Sequence, residues 1–275
     1  MINNRLCRII PGVSRLLFIS VVLIALVLCI VTLLVTHAQA QSTEEAYSIS
    51  LSDNEIIADY PGVYSEGGIL TITLPGEYSL TGQLSNGQIV VDCEQTGKVK
   101  LYFNGISVHC EDAPALYIKK CSPRLSIELV GDTVNELSDG AVYVDQQSNA
   151  DGVIFSKSDL TITGEGTLNV NGTYRDGIVS KDDLRFKGGK ITVNAVHNGI
   201  CGKDCVEIFD GEIHVNADND GIKTTNDDPE WGYILIEGGT VSITCGDEPL
   251  TVVHGLSVTG GIINAQVNPS LKESE

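Results

Sequence analysis

Positive charge is what this chain has least of. Its 275 residues carry 17 Lys and Arg against 36 Asp and Glu, a formal net of −19. So acidic a surface repels phosphate backbones and anionic membranes, and it argues against a nucleic-acid partner. Zinc-type cysteine spacing is missing as well. None of the eight cysteines forms a C-x-x-C pair, so no structural zinc site is expected. Past residue 40 no stretch has the length and the 3.6-residue apolar spacing of a helix. The L-x-x-L-x-L signature of leucine-rich repeats is also absent. Aromatic residues are few, with one Trp in the chain, so a continuous core must be aliphatic.

Acidic residues are themselves missing from one region. Residues 1–40 hold no Asp or Glu, and Arg5, Arg8 and Arg15 precede an apolar run from Leu16 to Thr36. Ala38-Gln39-Ala40 then offers a small-residue cleavage pattern. Two readings stay open: a signal peptide cut after Ala40, or an uncleaved anchor over residues 16–36, a run long enough to span a bilayer. In both, the positive charges stay inside and the acidic part is exported. Any membrane contact is through this segment alone, and the location is extracellular or cell-surface. Removing the three arginines leaves 14 bases against all 36 acids, a net of −22 for residues 41–275.

What is present is a repeat. Asp176-Gly-Ile-Val-Ser-Lys-Asp-Asp-Leu184, Asn198-Gly-Ile-Cys-Gly-Lys-Asp-Cys-Val206 and Asp220-Gly-Ile-Lys-Thr-Thr225 start 22 residues apart. A degenerate copy begins at Glu248-Pro-Leu250, and an earlier one ends in Phe155-Ser-Lys-Ser-Asp-Leu160. A period in the twenties marks a solenoid, each unit burying its apolar face on the next. Within each unit the apolar residues alternate, as in Leu184, Phe186, then Ile191, Val193, which is the period of a half-buried strand. Gly166, Gly189, Gly211, Gly239 and Gly261 mark the turns. The expected fold is all-β: a right-handed, single-stranded parallel β-helix with coils of about 22 residues. Residues 41–66 read as a cap or linker, 67–268 as the β-helix and 269–275 as a flexible tail.

Coils stacked ~4.8 Å apart turn each sequence column into a row. One row is Asn171, Asn194, Asn216 and Thr244, expected to hydrogen-bond within the stack. A sequon at Asn171-Gly-Thr173 is discounted, because that Asn is expected to point into a turn. A second row is acidic: Asp176, Asn198, Asp220 and Glu248, with Asp151 one residue out of step. Lys157, Lys181 and Lys203 form a third. Asp182 and Asp204 form a fourth, flanked by Asp159 and Asp183. Like charges at this spacing repel by about 1 kcal/mol per pair in water. They call for a counter-ion, and oxygen-only ligands select calcium. A solvated acidic face balanced by the neighbouring lysines is the competing reading. Among the cysteines, Cys93 falls beside Cys121 on adjacent coils, a disulfide candidate. Cys201 and Cys205 would need a bend to meet, and Cys245 reads as a small buried hydrophobe. Trp231 and Tyr233, in a loop insertion after Thr224, are candidates to stack on a sugar ring.

Two stretches resemble a known family: Gly67-Gly-Ile-Leu-Thr-Ile-Thr-Leu-Pro-Gly-Glu-Tyr-Ser-Leu-Thr-Gly82 looks like its opening coil, and Ile154-Phe-Ser-Lys-Ser-Asp-Leu-Thr-Ile-Thr-Gly-Glu-Gly-Thr-Leu168 like its centre. The chain resembles, over about residues 67–268, the bacterial carbohydrate-binding β-helix domains related to pectate lyases. The resemblance implies binding of cellulose or polygalacturonate, with calcium held by aspartates on the coils. Asp176 and Asp220 match the family's Asp-Gly positions. Asn198 and Glu248-Pro249 depart from them, and Thr225 stands where a lysine would continue the third row. These departures weaken the expected charge at the C-terminal end. The metal ligands expected are Asp151, Asp176, Asn198, Asp220, Asp182 and Asp204, and the substrate contacts Trp231, Tyr233, Lys181 and Lys203. A calcium-dependent lyase is the alternative, with Lys181 or Lys203 as base. It needs an unpaired base, and each of these lysines is followed by an Asp. A structural surface stalk is the third possibility.

Overall fold

Alternating apolar residues become strands with one buried side. In Asp183–Ala195 the side chains of Leu184, Phe186, Ile191 and Val193 are buried, and in Cys205–Ala217 so are Val206, Ile208, Ile213 and Val215. The two strands pair in parallel, with Leu184 opposite Val206 and Val193 opposite Val215. A computed structural model describes residues 46–53, 55–145 and 149–272 and repeats this pairing from coil to coil. The result is a parallel β-solenoid of about eight turns. The segment 1–40 lies outside the described residues.

Strands fall into a 13-stranded and a 9-stranded sheet. In the smaller sheet Leu116, Ile154, Ile178, Ile200, Ile222 and Leu250 stack in one column. The last four steps are 24, 22, 22 and 28 residues, so the coil is nearer 24 residues than the 22 read from the best copies. Inward side chains of both sheets meet in one core, where the largest fully buried groups include Tyr78, Phe103 and Phe186. Tyr47–Leu51 joins the larger sheet beside Gly76–Leu84. Val63–Glu66 pairs antiparallel with Ile69–Ile72 and closes that end of the smaller sheet. At the other end, Gly255–Val258 and Ile262–Val267 form the last coil, with Leu256, Val258, Ile262 and Val267 exposed. Pro269–Leu271 make a 3-10 turn, and Lys272 pairs with Asp247 at 2.7 Å.

A second apolar cluster lies outside the solenoid wall. The segment before Asp151 folds back over the outer face of the smaller sheet and buries Val90, Tyr117, Phe155, Val179 and Cys201 under Tyr143 and Ala150. The Tyr143 ring stacks on Tyr174 at 4.1 Å, and its hydroxyl donates to Asp139 Oδ2 at 2.6 Å.

The glycine that follows each Asp or Asn of the repeat has a packing reason. A Cβ at Gly177, Gly199 or Gly221 would lie 2.2, 2.2 or 2.4 Å from Val193, Val215 or Ile243, and within 2.7 Å of a backbone carbonyl of the next coil. The Asp-Gly motif is therefore written partly by coil packing. Gly199→Ala is expected to cost about 1–3 kcal/mol through overpacking. Denaturant unfolding checks this, and an unchanged midpoint would refute the packing explanation.

Candidate functional site

The row Asp176, Asn198, Asp220 runs along the solenoid as expected, but its side chains are buried, each about 4% exposed. Asp176 Oδ1 accepts from the Asn198 backbone N–H at 3.0 Å and from Asn198 Nδ2 at 3.1 Å. His197 Nδ1 lies 2.6 Å from the same oxygen, and the Cys201 thiol donates to Oδ2 at 3.5 Å. Asn198 Oδ1 accepts from Asn219 Nδ2 at 2.9 Å. Asp220 Oδ1 accepts from the Glu248 N–H at 3.3 Å, and Lys223 Nζ sits 2.8 Å from Oδ2. Each side-chain oxygen thus serves the next coil. A neutral Asn between two carboxylates also relieves like-charge repulsion. Asp151 is occupied as well: Lys181 Nζ lies 3.1 Å from Oδ2. Burial pushes the Asp151 carboxyl up, and the Lys181 charge works against that rise.

The second acidic group is arranged differently. One carboxylate oxygen from each of Asp159, Asp182 and Asp183 lies within 4.8 Å of the others. That span is about twice a calcium–oxygen bond of ~2.4 Å. Arg185 serves part of the charge, reaching Asp183 at 2.5 Å, Asp159 at 3.5 Å and Glu207 at 2.5 Å. It does not reach Asp182. Burial, then the charge of Asp159 and a hydrogen bond with Asp204, push the Asp182 carboxyl up to about 6. Burial and the Asp183 charge raise Asp159 too. Asp204 adjoins through its backbone N–H on the Asp182 carbonyl, and Asn226 Nδ2 donates to Asp204 Oδ1 at 2.5 Å. The expected ligands therefore divide: Asp182 and Asp204 belong to a carboxylate cluster short of cations, while Asp151, Asp176, Asn198 and Asp220 are engaged by protein donors. The importance of Asp159, Asp183 and Arg185 comes from their meeting across the junction between two strands of neighbouring coils, which the column alignment alone only hinted at.

Lys157, Lys181 and Lys203 stack as expected, their backbone N–H groups bonding to Ile118, Ser156 and Ser180. Lys181 pairs with Asp151, not with the Asp that follows it. Lys203 is exposed and has no ion pair among the described residues. Trp231 is 37% exposed in its loop. Tyr233 sits on a strand beside Cys205, and its hydroxyl donates to Glu207 Oε1 at 3.0 Å. That tether leaves the Tyr233 hydroxyl committed to the wall. The amide row holds: Asn194 Nδ2 donates to Asn171 Oδ1 at 2.8 Å, and Asn216 Nδ2 to Asn194 Oδ1 at 2.9 Å. Asn171 is exposed on the strand face and does not point into a turn.

Cys93 and Cys121 are neighbours on adjacent coils, since Asp92 pairs with Lys120. The bridge expected between them is not formed in this structure. Both are buried free thiols, each donating at 3.3 Å to a carbonyl of its own coil, Gln95 and Arg124. Burial pushes the Cys121 thiol up to about 11, with Cys93 adding to the rise. Cys205 donates to Asp183 Oδ1 at 3.1 Å, so Cys201 and Cys205 face different carboxylates. Cys245 is fully buried in the column of Ala195 and Ala217, as read from the sequence.

A parallel β-solenoid with acidic and basic rows along its coils is the architecture of polysaccharide-handling β-helices. The chain belongs to a family described as carbohydrate-binding domain-containing protein, whose model matches residues 66–274. A relative with that same description, from Acetivibrio thermocellus, is 40% identical over 200 residues, covering 71% of this chain and 70% of the relative. A solved structure described as a polysaccharide lyase-like protein from C. thermocellum, in a gadolinium derivative, superposes with a TM-score of 0.71 at 32% identity. It covers 80% of this chain and 94% of its own.

The two acidic groups predict different responses to charge. Asn198→Asp removes the amide donation to Asp176 and adds a buried carboxylate between two others. In chelator at neutral pH it should cost about 1–3 kcal/mol. Thermal unfolding of the variant beside the unaltered protein measures this, and equal melting temperatures would refute the structural role assigned to the row.

Proposed function

We propose that this protein is an extracellular, non-catalytic binder of an acidic plant-cell-wall-type polysaccharide such as polygalacturonate, and that it holds calcium at Asp159, Asp182 and Asp183 with Asp204 adjoining. The observation that carries the reading is the cluster of three carboxylate oxygens within 4.8 Å, of which Asp182 has no cationic partner among the described residues. Hard oxygen donors of this kind suit calcium. The related structure was prepared as a gadolinium derivative, and a lanthanide likewise takes oxygen ligands. A bound divalent ion would relieve the repulsion at Asp182 and present positive charge to a uronate carboxylate. The chain's own residues set the stage: Arg185 orients Asp159 and Asp183, and Asn226 holds Asp204. The expectation of calcium on Asp176 and Asp220 thus moves one column over, because those carboxylates already accept from protein groups. Export rests on the apolar run 16–36 and the Ala38-Gln39-Ala40 pattern. Cellulose remains a second substrate to compare in the same assays.

One observation favours the lyase reading: Lys203 is an exposed amine without an ion pair among the described residues, and the solved relative is called polysaccharide lyase-like. Ultraviolet absorbance of unsaturated products on polygalacturonate with calcium decides between the two. Product formed by the unaltered protein and lost in Lys203→Ala would establish the lyase.

The calcium site generates a pH-dependent prediction. The Asp182 carboxyl is raised from 3.8 to about 6 in the folded protein, so the folded state keeps this proton to higher pH than the unfolded chain does. Without calcium, its contribution to stability is therefore full at low pH and falls as pH rises from about 4 to about 6. Calcium must displace the same proton, so its affinity should weaken as pH falls below about 6. At neutral pH, calcium at a hundred times its Kd should add about 2.7 kcal/mol of stability. Asp182→Asn should abolish most of that gain. Calorimetric titration and melting curves in chelator and in calcium measure both, and a melting temperature indifferent to calcium would remove the site.

A further inference from the structure

In a chain with 36 acids, lysines should find carboxylates easily. One line of them does not. Lys157, Lys181 and Lys203 stack on successive coils, and the register extends the line by one rung to Lys119, because Ser156 pairs with Ile118 and the Lys157 N–H bonds to the Ile118 carbonyl. Lys119 is the extra residue where the pairing of Val91 with Ile118 shifts to Asp92 with Lys120, and such a bulge re-aims a side chain. Lys181 alone is paired, with Asp151. Lys119, Lys157 and Lys203 are exposed and form no ion pair among the described residues. Their stems lie on an aromatic column: Lys119 and Lys157 Nζ each sit 5.5 Å from the same Tyr117 ring, and Lys181 Nζ 5.1 Å from the Phe155 ring. Two ammonium groups sharing one ring face, with no carboxylate between them, constitute an unneutralised site.

We propose that this four-lysine line is a metal-independent track for a linear polyanionic glycan. Its rungs are ~4.8 Å apart and span about 14 Å, so the matching ligand carries about one carboxylate or sulfate per sugar along three or four sugars. Both ligand types share the chemistry of a regularly spaced anion. The inference rests on the carbohydrate-binding reading but not on calcium. The chain's large negative charge does not forbid it. Charges farther than a Debye length of ~8 Å are screened at physiological salt, whereas neighbouring rungs lie inside that length and act together. Tyr117, Lys119, Asp112 and Gln88 also line a cavity of about 100 Å³ at the start of the line. That cavity gives the terminal sugar polar and aromatic groups to meet.

The test is affinity electrophoresis of the full chain in gels containing polygalacturonate, a sulfated linear glycan or a neutral β-glucan, each in chelator and in calcium. The unaltered protein should be retarded by a polyanion in chelator, and the retardation should fall with added salt. Replacing Lys119, Lys157 and Lys203 together by Gln should weaken this chelator-resistant binding about tenfold, at a few tenths to 1 kcal/mol per exposed contact. The Lys→Arg version should retain it. Lys203→Gln alone should weaken it about twofold, which keeps the test open if the triple variant folds poorly by circular dichroism. Retardation that vanishes in chelator and returns with calcium, unaltered by the lysine substitutions, would overturn the track and leave the calcium-mediated reading standing. No retardation by any polyanion under either condition would overturn both. Preference between the carboxylated and sulfated gels identifies which anion the line takes.

Discussion

Parallel stacking of coils at one fixed spacing is the constraint on which the rest of this structure depends. It forces equivalent residues of successive turns into contact, so a single residue choice is multiplied along an axis. An aliphatic choice gives a continuous core. An amide choice gives the Asn171, Asn194, Asn216 chain of side-chain hydrogen bonds. A charged choice gives a row that must be neutralised, interrupted or offered to a ligand. The protein uses all three remedies. Asn198 interrupts the Asp176–Asp220 row, Lys181 neutralises Asp151, and the Asp182 cluster and the lysine line remain under-compensated.

Because the constraint is repetitive, it was legible in the sequence wherever the repeat is. The 22-residue steps, the alternation and the turn glycines were enough to define a parallel β-solenoid, and Cys245 was placed correctly as a small core residue. One-off features were not legible. The fold-back of Tyr143 over Tyr117 and Phe155 belongs to a single insertion, so no column announces it. The coil length was read short because the best-conserved copies are the shortest ones.

The candidate site was legible by column and obscure by partner. Like residues in register can be aligned on paper. What occupies their oxygens depends on neighbours that do not repeat. His197 and Cys201 meet Asp176 only in that coil, and Arg185 stands in a column whose flanking rungs are Thr161 and Glu207. The two acidic rows looked equivalent in the alignment, yet one is a buried seam and the other a cluster short of cations. The same limit applies to Cys93 and Cys121. Adjacency follows from register, whereas the direction of each thiol follows from the carbonyl nearest to it.

The last coil differs from the rest of the molecule in what it lacks. Residues 249–271 contain no Asp, Glu, Lys or Arg, and Leu256, Val258, Ile262 and Val267 lie open. Natural edge strands are commonly guarded by charge, proline or a covering element. Here the edge has the chemistry of an interior rung. In engineering terms that makes it a splice point. A further coil of the same period, grafted after this one, would find its backbone partners and its apolar floor already in place, and every charged row of the wall could be lengthened by one rung without altering those beneath.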